Sequence, residues 1–183
     1  PPPMTAVLDY TSAGPFTRID GVDMLALESL PTDPMQICRV VPYLVVQPTD
    51  ARSLNLPTDR FDENQIRPAS VLLQRLLALD PAPVTSAREP DKRLVGTCRH
   101  FAVLSCAFLR YRGIAARVRC GFATYFQPGQ GVDHWITEYW DDAGKRWIRI
   151  QPAGDEILAA VEGLLNADVA GNPVGAIAGA LRP

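Results

Sequence analysis

Apolar residues recur with a helical period in the first part of this chain and alternate with polar ones toward the end. Between Asp33 and Val46, Ile37, Val40, Val41, Leu44 and Val45 keep helical spacing. Asp33-Pro34-Met35-Gln36 ahead of them supplies an N-cap, a proline at the first helical position and a glutamine at the third. Pro42 lies inside this pattern, where proline costs roughly 3 kcal/mol, so a kink or an early stop is expected there. A second helix fits Pro68 to Leu79, with Leu72, Leu76 and Leu79 on one stripe and Asp80-Pro81 as its end. Pro81 to Arg93 reads as a loop. Thr97 then offers an N-cap, Cys98 to Arg112 holds neither Gly nor Pro, and Gly113 suits a left-handed end. Apolar residues spread round much of this helix, which suits a central position packed on more than one side. Three strand-like runs follow: Ile114 to Phe126, His134 to Trp140 and Arg146 to Gln151. The turn-rich connections Gln127–Gly131 and Asp141–Gly144 make an antiparallel meander the economical arrangement. A last helix is expected over Asp155 to Leu165. The fold class is therefore α+β, one central helix packed on an antiparallel sheet and preceded by a helical region.

Composition sharpens this picture by exclusion. The chain has 183 residues, 47% hydrophobic and 21% charged, as a single folded domain requires. Its parts are a helical stretch over 1–92, a core over 93–152, and a helix and tail over 153–183. Eighteen Lys+Arg against 20 Asp+Glu give a net charge of -2, so a general nucleic-acid binder is not expected. The apolar runs fall far short of the ~20 residues of a membrane span, and the N-terminus lacks a basic segment followed by an apolar one. No membrane partner and a cytoplasmic location are the expectations. The 17 prolines sit mostly before residue 91, which breaks the first half into short helices.

Four cysteines, Cys38, Cys98, Cys106 and Cys120, match neither a zinc spacing nor a disulfide-stapled domain, so free thiols are expected and no metal site. Cys98 opens the central helix, where unpaired backbone N–H groups and the helix dipole favour a thiolate. The expectation is a lowered thiol pKa and a nucleophile; a buried structural cysteine is the alternative. Cys106, mid-helix, and Cys120, on a strand face with Val118 and Phe122, are assigned to the core. Of the two histidines, His100 projects roughly 200° away from Cys98 on the same helix and reads as a capping or surface residue. His134 heads a strand that antiparallel pairing could bring over the helix start, beside Trp135, which would wall a site or fill the core. Glu138 lies four strand residues from His134, too far to orient it, and Asp133 should project to the opposite face.

Three segments together, RLVGTCRHFAVLSCAFLRYRGIAARVRCGFATYF from Arg93, then DHWITEYW, then RWIRIQP, resemble the transglutaminase-like family of papain-like thiol enzymes, bacterial type. The resemblance implies Cys98 as nucleophile, His134 as general acid and base, and acyl transfer through a thioester. The family's third member is an Asp four residues after a Trp. Here Gln151 stands four residues after Trp147, and its amide oxygen could fix the imidazole tautomer without stabilising imidazolium by charge. Asp155 is a substitute if the chain turns sharply at Pro152 and Gly154; otherwise it favours the start of the last helix. The expected function is acyl transfer or amide or thioester hydrolysis on a small acyl or peptide-like substrate, with no organic cofactor. The alternative is a binding or scaffold protein with a degenerate triad.

Overall fold

The computed structural model describes residues 9–127, 129–150 and 181–182. The expected last helix over Asp155 to Leu165 lies outside them. Short helices come first: α1 (Leu25–Glu28), α2 (Pro34–Val40), α3 (Pro48–Ser53) and α4 (Ala69–Leu79), with 3-10 turns at Val41–Tyr43 and Thr58–Gln65. The Asp33 carboxylate accepts the Gln36 N–H at 2.9 Å, which sets the start of α2. Its regular turns stop at Val40, and Pro42 falls in the 3-10 turn that follows. Pro68 occupies the N-cap position of α4, and the stripe of Leu72 and Leu76 is fully buried.

One element was not expected. Val45–Val46 form a short strand, β1, paired in parallel with β2 (Leu94–Val95). The region assigned to helices thus also supplies a strand, because Val45 and Val46 lie past the Pro42 stop and β-branched residues suit an extended, buried segment. The Leu94 N–H donates to Leu44 O and the Gly96 N–H to Val46 O, which delivers the chain to α5 (Cys98–Tyr111). From His100 to Leu109 every residue of α5 is buried, as its all-round apolar pattern implied. Its far end is a Schellman closure: the Ile114 N–H reaches Leu109 O, the Gly113 N–H reaches Arg110 O, and Gly113 has φ +74°.

The meander is present as β3 (Ala116–Gln127), β4 (Gln130–Asp141) and β5 (Arg146–Ile150), antiparallel throughout. A further strand, β6 (Leu181–Arg182), pairs with the other edge of β3 and gives the order β5-β4-β3-β6. The core lies between α5, α2 and α4 on one side and the sheet on the other, with Phe101, Leu104 and Phe108 at its centre. Cys106 belongs to it. Cys120 does not: on the strand face where Val118 packs against the core, Cys120 and Phe122 beyond it are exposed. Among the described residues no helix is long and apolar enough to cross a membrane.

Candidate active site

The start of α5 is held by a segment that precedes it in the chain by some thirty positions. Glu63, in the 3-10 turn, accepts the Val95 N–H at 2.9 Å. Asn64 O accepts from Arg99 Nη2 at 3.3 Å and from Arg67 Nη1 at 3.0 Å. Ile66 O lies 3.1 Å from His100 Nε2. Glu63 is itself fixed by Arg60 Nε at 2.7 Å and Arg75 Nε at 2.8 Å. Arg60 also donates to Asp91 O and Arg93 O, so the loop before β2 is tied to the same cluster.

His100 is one of these anchors and is not a surface residue. It is 1% exposed, and its Nδ1 accepts the Thr97 backbone N–H at 2.9 Å. That nitrogen therefore carries no proton, and the neutral ring donates through Nε2 to Ile66 O. Burial, helped by the charge on Arg99, pushes its pKa down to about 4. Gly96 makes room for the ring: a Cβ there would stand 2.7 Å from His100 Cγ. The capping half of the expectation holds and the surface half fails, because the helix start is roofed by residues 63–67.

Cys98 is half-buried. Burial raises its thiol pKa, with Asp133 adding to the rise, and outweighs the opposing pull of the nearby Trp135 and Arg99 backbone N–H groups and of the Arg99 charge. The expected lowering is thus reversed, because burial of the sulfur outweighs the backbone N–H groups near it. The contact with Trp135 locates the thiol. The Trp140 N–H points to Ala115 O on the β3 side, so alternation sends the Trp135 N–H to the β5 side of β4. β4 pairs with β5 from Asp141–Arg146 to Thr137–Ile150, and Trp135 lies two residues further along β4. Cys98 therefore lies near the edge of β4 beside Trp135, while His134, the preceding residue, is on the other parity from Trp135 and Thr137, which face α5.

His134 is 6% exposed and lies opposite Gly121. Thr137, on the other parity of the strand, donates its hydroxyl to Ala102 O of α5 at 3.0 Å. Glu138 shares the parity of His134 and is bound by Arg117 at 2.7 Å and Arg149 at 3.2 Å, with Arg119 at 3.7 Å. That carboxylate is committed to the sheet. Asp133 lies opposite Phe122, on the other parity from His134, and is felt electrostatically at Cys98. Trp135 lines a cavity of about 410 Å³. Gln151 and Asp155 lie outside the described residues. Among those described, no group of three or more His, Cys, Asp or Glu could hold a metal ion.

Two residues of this site escaped the sequence reading. Arg99 and Arg67 both line the same cavity. The position of Arg99 directly after Cys98 was a usable signal; Arg67 had none, since only the folded chain brings it there.

Residues 79–152 match the transglutaminase-like superfamily. A solved structure from Cytophaga hutchinsonii, described provisionally as a cysteine protease, is similar at 17% identity with a TM-score of 0.48. The similarity covers 78% of this chain and 40% of that one, so the chain spans well under half the length of that protein. No curated protein matches with significance. The family match, which points to cysteine-dependent catalysis, takes in α5, β3, β4 and β5 together with Cys98 and His134, and identifies residues 79–152 as a transglutaminase-like core.

Proposed function

We propose that this chain is a thiol enzyme that transfers or hydrolyses an acyl group on a small acyl, amide or peptide-like substrate. The observation that supports it most is that Cys98, at the start of α5, lies near the backbone of Trp135, the residue after His134. In this reading the thiol proton passes to His134 as Cys98 Sγ bonds to the substrate carbonyl carbon. The oxyanion rests partly on the Cys98 backbone N–H, one of the unpaired donors of the first turn. The C–N or C–S bond to the leaving group then breaks as His134 returns the proton to it. Water, or an amine in its place, attacks the thioester and frees the thiol, giving hydrolysis or transamidation. Gln151 would orient the imidazole and Trp135 would wall the acyl site.

The test is site-resolved alkylation with iodoacetamide at neutral pH, with glutathione as the comparison thiol, followed by mass spectrometry of acyl-enzyme trapped from cell extract. Cys98 should react faster than glutathione, and Cys98→Ala should abolish the acyl adduct. A Cys98 no more reactive than glutathione, with no adduct, sinks the enzymatic reading. The upward shift of the Cys98 thiol favours a second reading, a binding or scaffold protein that keeps the fold without the chemistry. Gln151→Asp separates the two. A rise in Cys98 reactivity of at least about tenfold marks the present triad as incomplete, whereas an unchanged rate in an already reactive protein supports catalysis with Gln.

A further inference from the structure

We propose that the cavity beside Cys98 is an acyl-substrate pocket built for an apolar body bearing a carboxylate, which Arg67 and Arg99 would hold. The assignment of the occupant as substrate rests on the reading of Cys98 as nucleophile; the anion site itself does not.

The cavity holds about 410 Å³, in the range of small-molecule pockets. Val103, Val118 and Trp135 give it apolar walls, and three arginines, Arg67, Arg99 and Arg110, give it charge. It adjoins the thiol: Cys98 is not among its lining residues, but Arg99, the next residue in the chain, and Trp135, whose backbone N–H is near enough to act on the sulfur, both line it. The three cations are not alike. Arg110 is used up within the fold, with Nε and Nη2 on Ala116 O at 2.9 and 2.8 Å and Nη1 on Thr17 Oγ1 at 3.1 Å. Arg67 and Arg99 share one carbonyl, Asn64 O, which holds two guanidiniums close together. Neither forms an ion pair among the described residues, and Asp133 acts on Arg99 only from beyond contact distance. Arg99 Nε is buried with no hydrogen-bond partner. Two neighbouring cations and an unpartnered donor on residues that line a mostly apolar cavity cost free energy that a bound anion recovers, and a guanidinium fork suits a carboxylate.

Binding is read first without the nucleophile. The full chain carrying Cys98→Ala is titrated calorimetrically with 3-phenylpropionate, its neutral amide 3-phenylpropionamide, and phenyl phosphate. The carboxylate should bind at least about tenfold more tightly than the amide. Equal affinity for acid and amide overturns the anion site, and tighter phosphate binding overturns the carboxylate assignment. Proximity to the thiol is read in the unaltered chain as the ratio of alkylation by iodoacetate to that by iodoacetamide. At low ionic strength the ratio at Cys98 should exceed that at exposed Cys120 by at least about fivefold, and it should fall as salt is added. Arg67→Gln should cut it at least about twofold while Arg67→Lys keeps most of it. A Cys98 ratio equal to that of Cys120, or one indifferent to salt, overturns the proposal without any variant having to fold. Slow reaction with both reagents beside tight carboxylate binding would instead strike the nucleophile reading and leave the anion site standing.

Discussion

Glu63 and Arg67 lie four positions apart in one segment and have opposite surroundings. The Glu63 carboxylate, 4% exposed, accepts from Arg60, Arg75 and the Val95 N–H, so its charge is fully met by donors. Arg67 has a carbonyl and a side-chain amide at 3.5 Å, with another guanidinium beside it. The first arrangement is architecture: a buried charge surrounded by partners fixes the loop before β2 and hence the helix start. The second carries charge that the fold itself does not answer. Glu138, with its three arginines on the sheet, belongs with the first kind.

The sharpest break of this contrast is Glu63→Ala, which leaves Arg60 buried without its carboxylate and should cost about 3–5 kcal/mol in urea unfolding. A loss below about 1 kcal/mol would mean that the cluster does not hold the site. His100 gives the next effect. Its pKa is about 4 in the folded chain and 6.5 ordinarily, so between those pH values the unfolded chain takes up a proton that the folded chain refuses. Stability should therefore fall as pH drops from 6.5 to 4, by up to about 3 kcal/mol. In His100→Asn the same pH series should be flatter over that window. Smallest is Arg67→Gln, expected to change folding stability by no more than about 0.5 kcal/mol because no ion pair is broken. A large destabilisation there would place Arg67 with Glu63 as a structural charge and erase the distinction.

What could be read along the chain was local. The caps of α2 and α5, the stop at Pro42 and the Gly113 closure depend on neighbours within a turn or two, and each stands where the residues place it. Strand alternation also correctly set Asp133 on the face opposite His134. The errors all come from distance. His100 became an interior anchor because Ile66 reaches it, the Cys98 thiol shifted upward because the folded chain buries it, and Cys120 stayed exposed because the core on its strand face ends at Val118. The pairing of Arg67 with Arg99 and the parallel strands β1 and β2 likewise join residues whose proximity no periodicity encodes.

The parallel pair has a kinetic consequence. Joining Val45 to Leu94 closes a loop containing α3, the long 3-10 turn and α4, and the entropy of that closure is lost before the pairing repays any of it. Helix α5 has its own caps and can form early. Its first turn is tethered only when that loop has shut, so the positioning of the sulfur waits on the half of the molecule that precedes α5.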